Sequence, residues 1–165
     1  MYRTINDFLD GWKYESEATL KIFENLTDTS LNQKVTQTGR SLGFIAWHIT
    51  NTIPEMLSKT GLPFSYEENT PVPASVESIK DIYEKSSKAV TDLISKNWKD
   101  EMLNDDINMY GQVWKRTSVL SSLIAHQAHH RGQMTVLMRQ AGLKVPGVYG
   151  PSKEEWAQYG MPTQE

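Results

Sequence analysis

The amino-acid sequence predicts an all-α protein, a four-helix bundle with long crossover connections. Apolar residues recur at helical spacing in four segments of about 17 to 24 residues each. Two of the connections, 61–75 and 97–116, are long, so consecutive helices need not be antiparallel neighbours. A chain of 165 residues suits one domain with one core, and we expect residues 1–165 to form a single domain.

The first helix is predicted over residues 6–26, where the apolar side chains fall near one face. Thr4, followed three residues later by Asp7, resembles a helix start signal. The next stretch, 27–40, is polar and is predicted to be a connection.

The second helix is predicted to begin after Ser41 and to end at Gly61. Pro54 lies inside it and should kink the helix or free a carbonyl group, because proline has no N–H to donate. Three prolines make 61–75 an irregular crossover, and a third helix follows over 76–96. The apolar positions of this third helix are Ile79, Ile82, Tyr83, Val90, Leu93 and Ile94.

The polar connection 97–116 is predicted to contain a small hairpin around Gly111, since apolar residues lie on both sides of it. Thr117 is expected to cap a fourth helix that runs to Gln140 and is terminated by Gly142.

The chain beyond the fourth helix is rich in proline and glycine. Ser152 and Glu155 match the capping box, in which a serine and a glutamate three residues later bond the first turn of a helix. A short terminal helix near Trp156 is therefore predicted.

Composition excludes several classes of function. The net charge is -3 and no basic block occurs, so a nucleic-acid partner is not expected. The chain has no cysteine, which excludes disulfides, a catalytic thiol and thiolate metal ligands. No apolar run approaches the roughly 20 residues that span a bilayer, and the N-terminus lacks the apolar core of a signal peptide. We therefore expect a cytoplasmic protein with no membrane partner.

The histidines are the main functional signal. Only four occur, and His126, His129 and His130 lie within five residues of one another. His126 and His130 are about 40° apart around a helix and one turn apart in height, the spacing at which two imidazoles grip one metal ion. His48 lies on the inner face of the second helix, so the three inward histidines can converge if the second and fourth helices pack together.

Three imidazoles would leave at least one coordination position open, which is the arrangement of a reactive metal. Neutral imidazole suits zinc, nickel, copper or iron(II). The spacing leaves a second interpretation open, in which the histidines are hydrogen-bonded core residues. His129 points away from the other two and is expected to pack against a neighbour or to support the site indirectly.

Two further side chains project close to the histidines. Gln133 could hydrogen-bond a metal-bound water or a substrate, or it could be a buried amide that ties two helices together. Glu55 could orient His48 by hydrogen bonding, or it could be a solvated or ion-paired carboxylate.

Other residues have structural interpretations. Gly132 is expected to allow close helix packing, and Arg131 to anchor a surface carboxylate or the C-terminal tail. Five aromatic residues could form core or line a pocket, and they are Trp12, Trp47, Tyr110, Trp114 and Tyr149.

Several motifs resemble those of the DinB-like family. The run His-Gln-Ala-His-His-Arg-Gly-Gln at 126–133 is the most specific of them. Trp47-His48 after Ser41-Leu42-Gly43, and the tail that leads from Gly142 to Pro151, support it. The resemblance spans nearly the whole chain. It implies a four-helix bundle, often a homodimer, that holds a divalent metal on the three histidines matched here by His48, His126 and His130.

The resemblance also implies candidate chemistry. Some members of the wider superfamily are enzymes that use a low-molecular-weight thiol such as bacillithiol, mycothiol or glutathione. The sequence is accordingly interpreted as a metal-dependent enzyme, a thiol S-transferase for small electrophiles or a hydrolase, with zinc or nickel as the metal and a small-molecule substrate. The alternatives are a non-catalytic bundle that binds a metal or a small molecule, and a structural, dimerising bundle.

Overall fold

The computed structural model describes residues 1–163 and shows the predicted bundle. Within this part of the chain the long helices are α1 (Ile5–Phe23), α2 (Leu42–Ser58), α3 (Val76–Asn97) and α4 (Arg116–Gln140). Helix α2 packs against both α3 and α4, and α1 packs against α3 and α4 from the other side. No helix among these residues is long and apolar enough to cross a membrane.

Helix α1 begins where the sequence predicts. The Thr4 hydroxyl accepts the Asp7 N–H and the Asp7 carboxylate accepts the Thr4 N–H, each at 3.1 Å, which forms a capping box. The helix ends three residues earlier than predicted. The connection that follows contains a 3₁₀ helix, Asp28–Asn32, which the sequence did not predict and which buries Leu31 against the core.

Helix α2 starts from the predicted cap, since the Ser41 hydroxyl accepts the Phe44 N–H at 3.1 Å. It continues through Pro54 to Ser58 and is followed by a turn in which Gly61 has a φ of +85°. A left-handed φ suits glycine because it has no Cβ to clash with the backbone.

Helix α3 starts from Ser75, whose hydroxyl accepts the Ser78 N–H. Most of its predicted apolar positions face the bundle, with Tyr83, Val90 and Ile94 fully buried. Ile82 is the exception: its side chain is exposed, and its assignment to the apolar face was wrong. Ile82 lies about 100° around the helix from the fully buried Tyr83, and this rotation turns its side chain towards solvent.

The predicted hairpin is present. Strand β1 (Asp106–Met109) pairs antiparallel with β2 (Gln112–Lys115), and Asp106 lies opposite Lys115 in the register. The turn residues Tyr110 and Gly111 both have positive φ, 54° and 80°, as the two-residue turns that match strand twist require.

The predicted cap of α4 by Thr117 was wrong. Strand β2 runs directly into the helix, so the helix begins at Arg116 with Lys115 at the cap position and no side-chain cap. The Arg116 N–H donates to the Asp105 carbonyl across the hairpin, and the Thr117 hydroxyl donates to the Tyr2 carbonyl. Because the strand register sets the helix start, a local sequence signal could not locate it.

The chain after α4 folds back along α1. The Tyr14 hydroxyl donates to the Val148 carbonyl, and the Lys21 ammonium donates to the Gly147 carbonyl at 2.9 Å. The terminal helix is a single 3₁₀ turn, Trp156–Tyr159. It begins after Ser152 and Glu155, the two residues of the predicted capping box, and not between them. The Glu155 carboxylate accepts N–H groups of Gly147 and Ser152, so it fastens the tail loop.

A buried amide joins the four helices at the centre of the bundle. Gln127 on α4 is fully buried, and its Oε1 accepts from the hydroxyls of Thr19 on α1 (3.2 Å) and Tyr83 on α3 (3.1 Å). Its Nε2 donates to the Ile49 carbonyl on α2 at 3.1 Å. A single side chain therefore fixes the relative positions of all four helices at one level of the core.

Candidate metal centre

The structure brings together three of the four histidines, one from α2 and two from α4. Nε2 of His126 lies 3.1 Å from Nε2 of His48 and 3.1 Å from Nε2 of His130. One ring nitrogen from each of the three lies within 4.8 Å of those of the others. A tetrahedral zinc ion with Zn–N bonds of about 2.0–2.1 Å separates its nitrogen ligands by about 3.3 Å. The three histidines are thus spaced to hold one ion.

The protonation of His130 follows from its hydrogen bond. Its Nδ1 lies 2.7 Å from Oε1 of Gln133, an amide oxygen that can only accept, so Nδ1 carries the proton. Nε2 of His130 then presents a lone pair to the other two histidines. This is the tautomer that a metal ligand needs, with its other nitrogen held by a neighbouring side chain.

The surroundings of the triad lower the pKa of its three histidines and so favour the neutral imidazole. Burial is the largest of the causes that lower the pKa of His48 and His126 to about 4, and the nearby charges of other histidines and of Arg40 act in the same direction. Burial also lowers the pKa of His130, although its bond to Gln133 opposes the shift. Around neutral pH all three side chains are therefore uncharged and free to donate lone pairs.

A hydrogen-bonded core, the other interpretation, accounts poorly for this geometry. Nε2 of His126 faces two other Nε2 atoms at hydrogen-bond distance, and one nitrogen offers either one proton or one lone pair. Nδ1 of His126 is buried and has no hydrogen-bond partner among residues 1–163. Buried polar atoms are normally paired, so this cluster is incomplete as a purely structural network.

The predicted supporting residues lie at different places. His129 is exposed and its Nε2 accepts from Nε2 of Gln133 at 3.1 Å, which links it to the triad through that amide. Gln133 is exposed and bonds two histidines of its own helix, so it is not a buried tie between helices. Glu55 accepts the Tyr110 hydroxyl at 2.9 Å, and no hydrogen bond joins its carboxylate to His48.

Arg131 is almost fully buried and anchors the tail, as predicted. Its guanidinium donates to the Glu15 carboxylate, to the Tyr149 hydroxyl of the tail and, at 2.9 Å, to the Thr19 hydroxyl. The carboxylate is itself mostly buried, with 12% of the side chain exposed, so it is not a surface group.

The expectation for Gly132 was wrong, because an added Cβ there would meet no atom within 4 Å.

The five aromatic candidates divide between core and surface. Trp12 and Trp47 are buried and donate their indole N–H to the carbonyls of Ser87 and Thr70. Tyr110 and Tyr149 are exposed, and Trp114 is half-buried in the hairpin. The aromatic ring that contacts the triad is Phe44, stacked on His48 at a centroid distance of 6.2 Å.

Sequence reasoning missed Phe44, Arg40 and Gln127. Phe44 precedes His48 by four residues, a spacing that places both on one helical face, so that signal was present. Gln127 falls between Leu123 and His130 in the inward repeat of α4, which also marked it as buried. Arg40 lies in an irregular connection, where no periodic signal gives its direction.

The fold and the site together define an all-α bundle with a histidine triad shared between its second and fourth helices. This chain belongs to the DinB family, whose family model matches residues 1–165. It is 48% identical over 162 residues to the uncharacterized protein YrdA of Bacillus subtilis (strain 168), an alignment that covers 98% of this chain and 97% of that protein.

Two solved structures have the same fold. A DinB-like protein from Bacillus cereus ATCC 10987 superposes with a TM-score of 0.86 at 47% identity, over 90% of this chain and all of that one (100%). The DinB-like protein YjoA from Bacillus subtilis gives a TM-score of 0.70 at 16% identity, over 88% of this chain and 99% of that one. The second likeness concerns the fold alone.

Proposed function

We propose that this protein binds one divalent metal ion, zinc or nickel, through His48, His126 and His130. We further propose that the metal-loaded form is an enzyme that transfers a low-molecular-weight thiol to small electrophiles. The observation that carries the metal proposal is the convergence of three imidazoles, in which Nε2 of His126 lies 3.1 Å from Nε2 of His48 and of His130, with no proton arrangement that pairs all three atoms. Membership of the DinB family supports it.

Neighbouring residues already hold the three imidazoles in the protonation state and orientation that metal binding requires. Gln133 holds the proton of His130 on Nδ1 and so directs the lone pair of Nε2 inward. Because the lowered pKa values of His48 and His126 keep them neutral, no protons need to be displaced from them at neutral pH. Phe44 covers one face of the His48 ring and limits its rotation.

A divalent ion with open coordination positions lowers the pKa of a thiol or water bound to it. In thiol transfer the sulfur forms a bond to the electrophilic carbon, the leaving group departs with the bonding electrons, and the thiol proton passes to solvent. The chain has no cysteine, so the thiol in this reaction would come from outside.

The experiment that tests this proposal measures turnover by the zinc-loaded and the nickel-loaded protein. Each of two thiols, bacillithiol and glutathione, is combined with haloalkyl and with epoxide electrophiles. We expect thiol-dependent product with the parent chain and a loss of at least about 100-fold in His130→Ala. Gly132→Ala is the matched control on the same helix, since its added methyl meets no other atom. A fully metallated protein that is inert across the panel would contradict the transferase proposal and leave the metal proposal standing.

The alternative is a non-catalytic bundle that binds a metal or a small molecule. One observation favours it: no carboxylate in residues 1–163 hydrogen-bonds a triad histidine, so the site has no evident general acid or base. A thiol transferase needs neither group if the metal activates the thiol, which is why we propose the transferase first.

The homodimer, the cytoplasmic location and the lack of a nucleic-acid partner stay predictions. Light scattering would check the homodimer.

A further inference from the structure

A cleft of about 500 Å³ opens between the 33–41 connection, α2 and the second half of α4. Its walls are mostly apolar, and its two larger polar side chains are Arg40 and Gln133. The apolar lining residues are Val35, Ile45, Val136 and Leu137. This volume is in the range of pockets that bind small organic molecules.

Two contacts connect the cleft with the histidine triad. Gln133, on one wall, bonds Nδ1 of His130 at 2.7 Å. On the opposite wall the Arg40 guanidinium lies 5.1 Å from the centre of the Phe44 ring, and that ring stacks on His48. The cleft is therefore one side chain removed from His130 and from His48, and no triad histidine lines it.

The Arg40 side chain is exposed, and its guanidinium lies over the Phe44 ring. No carboxylate within residues 1–163 pairs with it. The other cationic side chain of this connection, Lys34, reaches instead to the Gln37 carbonyl at 3.5 Å. After burial, the charge of Arg40 contributes to the lowered pKa of each triad histidine, which agrees with its position beside them.

The valines of the cleft are exposed as well. Val35 is 64% exposed and Val136 is 54% exposed, although they come from different parts of the chain and line the same cavity. Single exposed valines are ordinary on a protein surface. Two that face one cavity, together with a guanidinium that has no carboxylate partner in residues 1–163, suit a molecule with an apolar body and a negative group.

We propose that this cleft is the substrate site and that it takes a small carboxylate with an apolar body, whose carboxylate Arg40 binds. A planar guanidinium matches a carboxylate with two parallel hydrogen bonds, which a lysine cannot do. The assignment rests on the proposed metal-dependent function and names the substrate class for that site. Arg40 would orient the apolar end of the substrate towards the triad.

The test uses two probes that differ only in charge, phenylacetate and its neutral isostere phenylacetamide. Each is titrated into the full chain, with and without zinc, while the methyl resonances of Val35 and Val136 are followed by NMR. We expect both methyl groups to shift and phenylacetate to bind about tenfold more tightly than the amide in both forms. Arg40→Gln should abolish this preference, and Lys34→Gln, the matched control on the same connection, should keep it.

Several outcomes would overturn the assignment. Equal binding of the two probes, shifts confined to other methyl groups, or an undiminished preference in Arg40→Gln would each do so. Binding of phenylacetate only in the zinc form would show that the metal, and not Arg40, holds the carboxylate. If the chain binds no zinc and Arg40 still selects phenylacetate, the metal proposal fails while the cleft assignment survives.

Discussion

Two polar clusters lie side by side in this bundle, and they differ in how completely their atoms are paired. In the cluster around Gln127, both atoms of the amide are bonded, to groups on α1, α2 and α3. In the histidine triad one turn away, three nitrogens face one another and Nδ1 of His126 has no partner in residues 1–163. The amide of Gln127 is bonded without any ligand, and under the metal proposal an ion would complete the histidine triad.

This difference separates the structural role from the functional role. A fully bonded polar group in a core specifies one arrangement of the elements around it. An incompletely bonded one costs stability unless an ion or ligand binds it. The two clusters therefore predict opposite responses: the loss of Gln127 should damage the fold and not the metal site, and the loss of the histidines should do the reverse.

The largest expected effect is on the Gln127 cluster. Gln127→Ala removes the acceptor of the Tyr83 and Thr19 hydroxyls and the bond to the Ile49 carbonyl, and it opens a cavity. We therefore expect the free energy of unfolding to fall by about 3–4 kcal/mol. Urea denaturation measures it, with the exposed Gln140→Ala on the same helix as control. A loss below about 1 kcal/mol would show that this amide does not hold the helices together.

Zinc should stabilise the parent chain and not the chain without its triad. At 100 times the dissociation constant, a ligand that binds only the folded state adds about 2.7 kcal/mol to the free energy of unfolding. We expect this increase in thermal or urea unfolding of the parent, and none when His48, His126 and His130 are all alanine. Equal stabilisation of both chains would place the zinc elsewhere.

The metal-free protein should lose stability as the pH falls from about 6.5 to about 4. The folded-state pKa values of His48 and His126 are lowered to about 4, so the unfolded chain binds more protons across this window and is favoured by acid. The contribution is fully present above the unfolded pKa. We expect a loss on the order of 1 kcal/mol between pH 7 and pH 6.

Urea denaturation with chelator present measures this dependence, and the triple alanine variant is the comparison. A slope that is as steep in the variant as in the parent would contradict the assignment of these protons to the triad.

The smallest expected effect is at Gly132, an exposed position on α4 two residues after His130. Gly132→Ala should raise the free energy of unfolding by about 0.5–1 kcal/mol, because alanine favours the helix and the new methyl meets no other atom. A decrease, measured by urea denaturation, would indicate the close packing that the sequence first suggested.

The sequence predicted most of the fold because its signals are local. Helical apolar spacing, the caps at Thr4 and Ser41, and Gly111 between apolar runs located α1, α2 and the hairpin. The start of α4 could not be located in this way, because it depends on how Lys115 pairs with Asp106 across the hairpin. Leu31 was missed because a short 3₁₀ helix has too few residues to show a period.

The candidate site was predictable in part for the same reason. The four-residue spacing of His126 and His130 defines two of its ligands on one helix. Whether His48 reaches them depends on the packing of α2 against α4, which no local signal gives. Arg40 and its cleft depend on the path of an irregular connection over α4, so only the structure reveals them.

The most direct test of this account is the metal content of the chain, measured by elemental mass spectrometry on protein purified without chelator. We predict about one zinc or nickel ion per chain in the parent, and less than about a tenth of that when His48, His126 and His130 are replaced by alanine. Gln140→Ala should retain the parent value. A parent chain that holds no metal, even after incubation with each ion in turn, would contradict the central claim and leave the triad as an incompletely bonded part of the core.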